Sequence, residues 1–288
     1  MTKFYNMEKK YTIGIDIGGT KMLAVLFDGQ TVLADYSLST PKDNLNKFLT
    51  MIKALVEPLL NKAKEDKIKV SGIGLGLAGF FNYETGKIIK SPNLPFLDGQ
   101  DILEKIKKVI SLPVAFDNDA NCFTRAEAVL GAGRKFKNVF GVTIGTGIGG
   151  GWCVNGEIYN GSHTSAGEIG WMIVDYDHSI RLEEAYQRLM QNNPIQVAEE
   201  AYRGDVLAEK AYQEFGKYLG ASLVSMINLI DPEIIVLGGG VVKSTDLFLS
   251  DIKKEIKKYA LVGGATNVKV VKGKLGDLAG AIGAAMLV

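Results

Sequence analysis

Two aspartates interrupt or follow apolar strands, and each is suited to chemistry. In "VAFDNDANCF", Asn118 and Asp119 come directly after a strand. An aspartate within hydrogen-bond reach of a hydroxyl can take its proton as that oxygen attacks phosphorus, the general-base role in phosphoryl transfer. The plainer alternative is that Asp117 or Asp119 caps the helix starting at "ANCFTRAEAVL". In "IGIDIGGTKMLAVLFD", residues 13–28, Asp16 is a hard oxygen ligand suited to Mg²⁺, directly or through water. Gly18 and Gly19 allow a tight hairpin whose N–H groups approach an anion, and Thr20 adds a hydroxyl beside Lys21. Taken alone, this segment reads better as a Gly-Gly hairpin with a satisfied aspartate.

Two further glycine-rich turns extend the pattern. "VTIGTGIGGG", residues 142–151, offers bare backbone and one hydroxyl at Thr146 and Gly147, and "IIVLGGGV" puts Gly239 and Gly240 at the carboxyl end of a strand. Ligands of α/β sheets commonly sit at such ends, and a flat base can pack where no side chain intervenes. None of the three is a P-loop or a dinucleotide fingerprint. Two facing hairpins of this kind would cradle a polyphosphate from both sides.

The elements that must position these residues come in two sets. "YTIGIDI", "KMLAVLFD" and "TVLADYSLS" read as consecutive antiparallel strands. In "KDNLNKFLTMIKALVEPLLNKAKED" apolar residues recur at three- and four-residue steps, one face of an amphipathic helix that Pro58 kinks or restarts. The strand "KVSGIGLGLAG", a loop "NYETGKIIKSPNLPFLDGQ", the helix "DILEKIKKVI" and the strand "PVAFDND" complete the first set.

The order then repeats. "NVFGVTIGTGIGGGWCVNGEIYNG" supplies a hairpin, followed by helices over 182–190 and 206–229, the strand "EIIVLGGGV", the helix "STDLFLSDIKKEIKKYA", the strand "NVKVVKG" and a terminal helix. We expect a duplicated α/β fold with an interdomain cleft. Its N-terminal domain spans 1–119 and is joined by the C-terminal helix 277–288; its C-terminal domain spans 120–276.

Composition narrows the functions. The chain has 288 residues, 47% hydrophobic, with 33 Lys+Arg against 32 Asp+Glu, so it offers no basic footprint for nucleic acid or an acidic membrane. Cys122 and Cys153 are too few for a disulfide scaffold or thiolate metal cluster and read as core thiols. "MTKFYNMEKKYTIG" has no apolar leader stretch, and no run approaches the ~20 apolar residues of a membrane span. A cytoplasmic protein is expected.

Together the motifs resemble the ROK sugar kinases, a branch of the hexokinase, Hsp70 and actin ATPase fold with a ribonuclease-H-like core. The resemblance covers nearly the whole chain. It is carried by "DIGGTK" at 16–21, "LAG" at 77–79, "DNDAN" at 117–121, "GTGIGGG" at 145–151, "NGEIYNG" at 155–161, "AGEIG" at 166–170 and "LGGG" at 237–240. It implies Asp119 as the catalytic base toward a sugar 6-hydroxyl, Asn118 and Gly79 as holders of sugar hydroxyls, and Glu168 as a carboxylate acceptor. It implies Gly18, Gly19, Thr20, Lys21, Thr146 and Gly147 around ATP phosphates, Asp16 helping to hold Mg²⁺, and Gly239 with Gly240 flanking adenosine. A homodimer is also a family expectation.

The chain departs from the family pattern after "EIG". A histidine and a three-cysteine zinc cluster are usual there, whereas this chain reads "EIGWMIVDYDHSIRLEEAYQ". Zinc needs about four N, S or O ligands, and His178 with scattered aspartates does not make such a site; no structural zinc is expected. Trp171 stands in place of the histidine, either stacking on or supporting the sugar pocket or packing where the zinc module would be. The glutamate that ends the missing cluster corresponds to Glu183, with Glu184 the alternative.

The resemblance therefore implies an ATP-dependent sugar 6-kinase. A zinc-free segment is similar to that of a subset of bacterial N-acetylmannosamine kinases, which favours N-acetylmannosamine and a place in sialic acid breakdown; glucose and N-acetylglucosamine are the alternatives. A sugar-sensing regulator of the same family is a remote reading: such regulators carry a helix-turn-helix before the kinase-like part, whereas about a dozen residues precede the Asp16 strand here, and the intact Asp119 argues for chemistry.

Overall fold

The computed structural model describes residues 10–288; the reading of the first nine residues as lacking a leader falls outside them. The chain divides into two compact units, one of 10–126 with Leu278–Val288, the other Glu127–Asp277.

In the first unit β1 (Tyr11–Ile17), β2 (Lys21–Phe27) and β3 (Val32–Ser39) form an antiparallel meander, and β4 (Val70–Leu77) and β7 (Val114–Asn118) add in parallel to give the order β3-β2-β1-β4-β7. The central strands are buried on both faces, which is why they read as continuous apolar runs. Between β4 and β7 the segment read as a loop contains a hairpin, β5 (Phe80–Asn82) with β6 (Lys87–Lys90), and then α2 (Ile102–Val109). Buried Phe81 holds the hairpin down, with its ring edge-on to Phe116 of β7 at 5.0 Å.

The amphipathic helix is α1, Leu45–Glu65, and it runs through Pro58 as one helix. Pro58 and Ala54 both lie on the exposed side, so the carbonyl that loses its N–H partner is hydrated, while Phe48, Ile52, Leu55, Val56 and Leu59 anchor the other face.

The C-terminal helix, Ala279–Ala285, packs directly on this sheet. Its close approach depends on missing side chains: a β-carbon at Gly14 of β1 would collide with the Ala281 carbonyl, and one at Gly74 of β4 with that of Ala284. α3 (Asp119–Val129) follows β7, and the division between the units falls within it.

The second unit repeats the plan. β8 (Asn138–Ile144), β9 (Ile148–Val154) and β10 (Glu157–Ile158) are antiparallel, and β13 (Ile234–Gly238) and β14 (Lys269–Lys272) add in parallel, in the order β10-β9-β8-β13-β14. A short hairpin, β11 (Ile173–Asp175) with β12 (Ile180–Arg181), leads into α4 (Leu182–Leu189). Then come α5 (Pro194–Tyr202), which the sequence reading passed over, α6 (Val206–Ile230) and α7 (Leu249–Tyr259). The helix read from Ser244 starts later, at Leu249, and its first residues belong to a 3-10 stretch, Gly240–Leu247, which also takes in Gly240 and Val241, read as the end of the strand. The core joins Tyr186, Tyr212, Phe215 and Phe248 to the β8 and β13 side chains. No helix among the described residues is long and apolar enough to cross a membrane.

Candidate functional site

The first unit gathers its candidate residues at the carboxyl ends of β1, β4 and β7. Asp16 is the penultimate residue of β1 and pairs in register with Gly76 of β4, which in turn pairs with Asp117 of β7. A β-carbon at Gly76 would stand 3.7 Å from the Cα of Asp119. Asp16 and Asp119 are both half-buried. Burial, and secondarily the charge of Asp119, push the Asp16 carboxyl up from 3.8 to about 7, with Lys21 opposing; burial also raises Asp119.

Neither Asp117 nor Asp119 provides the helix cap at this point. The cap of α3 is Asn118, whose Oδ1 accepts from the N–H groups of Ala120 at 2.8 Å and Asn121 at 3.3 Å. Asp117 is instead a buried structural anion. Its Oδ1 accepts from Tyr83 Oη at 2.9 Å, Asn121 Nδ2 at 2.9 Å and the Asn118 N–H at 2.8 Å, and its Oδ2 pairs with Arg125 at 2.6 Å. These four donors fix the backbone from which Asn118 and Asp119 project. The Asn118 amide reaches the Gly79 carbonyl at 3.3 Å, so these two predicted residues meet. Gly79 has φ +149°, and a β-carbon there would come 2.5 Å from the Lys90 carbonyl, so glycine is required.

The Gly18–Lys21 turn closes β1 onto β2 through Gly18 N–H to the Lys21 carbonyl at 3.1 Å. Thr40, which the sequence reading did not single out, secures it: its hydroxyl donates to the Gly18 carbonyl at 2.7 Å and its N–H to the Thr20 carbonyl at 2.9 Å. Thr20 and Lys21 are exposed.

In the second unit Thr146 and Gly147 occupy the β8–β9 turn, with Thr146 exposed. Glu183 braces that turn: its Oε2 accepts from the Ile148 N–H at 2.6 Å, and a β-carbon at Gly147 would lie 2.9 Å from its Oε1. Glu184 faces back along its own helix and accepts from the Arg181 N–H at 3.2 Å. Glu168, half-buried, precedes a 3-10 turn, Ile169–Trp171. Trp171 is 53% exposed with the Arg181 guanidinium 4.3 Å over its ring, so it is not core packing. Gly239 has φ +86° and stands against the Ile144 backbone, whereas Gly240 faces open space.

Among the described residues no group of three or more His, Cys, Asp or Glu side chains is arranged to hold a metal, and both cysteines are buried thiols. A divalent ion of the Mg²⁺ kind needs less from a protein, since one or two carboxylates plus phosphate oxygens and water complete its shell. Asp16, with its charge raised in cost by burial and by Asp119, fits that demand.

Within each unit an antiparallel meander extended by parallel strands carries a glycine turn, and the first unit adds Asp16 and Asp119 at its strand ends. This is the actin-like ATPase fold of the hexokinase type. A ROK family model matches residues 12–288, and the chain belongs to the ROK family. It is 32% identical to the N-acetylgalactosamine kinase AgaK of Shewanella sp. (strain ANA-3), over 95% of each chain. It is 31% identical to an N-acetyl-D-glucosamine kinase of Mannheimia succiniciproducens, over 95% of this chain and 98% of that one. Among solved structures it matches a ROK family glucokinase from Streptomyces griseus in complex with glucose and AMPPNP, at TM-score 0.79 and 26% identity over 96% and 98% of the two chains. A proposed N-acetylmannosamine kinase from Listeria monocytogenes matches at TM-score 0.77 and 26% identity, over 96% and 97%. The chain is accordingly an ATP:sugar phosphotransferase.

Proposed function

We propose that the chain phosphorylates the 6-hydroxyl of an N-acetylhexosamine, with N-acetylmannosamine the preferred acceptor. The observation that carries the kinase chemistry is Asp119, whose carboxyl is raised by burial at the end of β7 and whose backbone is fixed by the Asp117 network. Asp119 takes the proton of the sugar O6–H as that oxygen bonds to the γ-phosphorus of ATP and the bond to the ADP oxygen breaks. Asn118, Gly79 and Glu168 hold ring hydroxyls, and the exposed Trp171 stacks on or supports the sugar.

The Gly18–Lys21 and Thr146–Gly147 turns present N–H groups to phosphates, and Gly239 with Gly240 admits the adenine face. Mg²⁺, when bound, neutralises phosphate charge, and Asp16 is the residue that would hold it. The reading includes no structural zinc. A homodimer is the family expectation, and a cytoplasmic location is the expectation from the sequence.

The choice of acceptor rests on two supports. The kinship to N-acetylhexosamine kinases favours an acetamido sugar, and the cysteine-free segment "WMIVDYDHSIRLEE", together with the match to a proposed N-acetylmannosamine kinase, favours N-acetylmannosamine among them. Glucose is the second reading, favoured by the match to the glucose-bound Streptomyces griseus enzyme. An ADP-release assay across N-acetylmannosamine, N-acetylglucosamine, N-acetylgalactosamine, mannose and glucose tests it. The expected result is a kcat/KM for N-acetylmannosamine above the rest, and a higher value for glucose would replace this reading with the second.

A further inference from the structure

α4 meets the β8–β9 turn with three side chains from one face, at positions i, i+3 and i+4. Tyr186, fully buried, donates its hydroxyl to the Gly145 carbonyl at 2.6 Å. Gln187 donates its amide to the Thr146 carbonyl and, at 2.8 Å, to Glu183 Oε1. Glu183 Oε2 accepts from the Ile148 N–H. The helix thus engages the backbone at Gly145, Thr146 and Ile148, while Gly147 has no room for a side chain against Glu183.

These contacts set the direction of two peptide planes. In a trans peptide the carbonyl of one residue and the N–H of the next point opposite ways. With the Gly145 carbonyl drawn to Tyr186, the Thr146 N–H points away from α4. With the Thr146 carbonyl drawn to Gln187, the Gly147 N–H does the same. Two adjacent N–H groups are therefore turned outward together, the arrangement an anion needs.

We propose that Tyr186, Gln187 and Glu183 are positioning residues for nucleotide-phosphate binding, holding the Gly145–Ile148 turn so that the Thr146 and Gly147 N–H groups face a phosphate. This rests on the kinase reading above. It also gives Glu183 a task on the phosphate turn, distinct from the sugar contact that the resemblance implies. Nothing in this role requires any of the three to touch the sugar.

The test uses Tyr186→Phe, which keeps the ring and removes only the hydroxyl, and Gln187→Met, which keeps length and removes the donor at a half-buried position. Calorimetric Kd values for MgATP and MgADP without sugar are measured beside KM for ATP, KM for sugar and the melting temperature. Each variant is expected to weaken MgADP binding and raise KM for ATP by at least about five- to tenfold, with one hydrogen bond lost in Tyr186→Phe and two in Gln187→Met. KM for sugar should stay within about twofold of the parent. Gln187→Glu, which replaces the donor with a carboxylate against the Thr146 carbonyl, should be worse than Gln187→Met.

If the parent binds MgADP and both variants bind it equally well, the positioning role is overturned while the kinase reading stands. If KM for sugar rises and nucleotide affinity does not, α4 belongs to the sugar site and the proposal is equally wrong. A parent that binds neither nucleotide overturns the kinase reading and this inference with it.

Discussion

Gly280 of the C-terminal helix stands against Asp16 of β1 so closely that a β-carbon at 280 would lie 2.5 Å from Asp16 Oδ2. The two residues are 264 positions apart in sequence (280 − 16) and lie in the same unit. The end of the chain thus fixes where the proposed metal-binding carboxylate can point. Gly280→Ala should displace that carboxylate and lower kcat by about 10- to 100-fold, the range expected for an ångström-scale misplacement. The Mg²⁺ concentration for half-maximal rate should rise as well. A Gly280→Ala enzyme with parental kcat and Mg²⁺ dependence would show that Asp16 is not the metal residue.

The raised Asp16 carboxyl has a consequence for stability. The folded protein keeps that proton to about pH 7, while the unfolded chain releases it near 3.8. The folded state binds the extra proton between those values, so this group makes the nucleotide-free protein less stable as pH rises from about 4 to about 7. Asp16→Asn removes the penalty. In chelator, urea unfolding should find the Asp16→Asn variant more stable than the parent by about 1–3 kcal/mol above pH 7, with the difference vanishing near pH 4. A constant difference across that range would contradict the assignment.

Docking of the C-terminal helix requires bare backbone on β4. Gly74→Ala would push a methyl into the Ala284 carbonyl, which is main chain and cannot rotate aside. The variant should lose about 2–4 kcal/mol in denaturant unfolding, or fail to fold. The same change at Gly29, in an open turn at φ +90°, should cost only about 1 kcal/mol from backbone strain.

Tyr83 is one of four donors to Asp117. Tyr83→Phe should leave its stacking on Phe116 intact and remove a single hydrogen bond, costing about 1–3 kcal/mol of stability. Arg125→Met, which removes the cation paired with this buried carboxylate, should cost more and should lower kcat through Asn118 and Asp119. Urea unfolding and turnover of the two variants, measured side by side, check that order; equal effects would mean the ion pair contributes no more than a neutral hydrogen bond.

Much of the plan was legible because it is local. β-branched runs bounded by turn residues gave the antiparallel meanders, and the repeated order of strands and helices gave the two-part architecture. The candidate residues were legible as motifs in order along the chain. What the sequence concealed is the set of residues that reach these motifs from elsewhere. Thr40 arrives from the far end of β3, Asn118 rather than its neighbours serves as the cap, and Gly280 acts by having no side chain. The hairpin over 80–90 was hidden because Phe81 is held by Phe116 of β7, a contact between two separate sheets that lie far apart in sequence. α5 was signalled by "NNP", an asparagine cap before a proline at the first helical position, and was missed because its apolar stripe is short.

The central claim is that Asp119 is the base of a sugar kinase. The most direct measurement is the rate of ADP release with MgATP and N-acetylmannosamine for the parent and for Asp119→Asn, alongside calorimetric binding of the sugar. The account predicts measurable turnover in the parent, a loss of at least about 100-fold in the variant, and sugar affinity within a few-fold. Near-parental turnover by Asp119→Asn would contradict it.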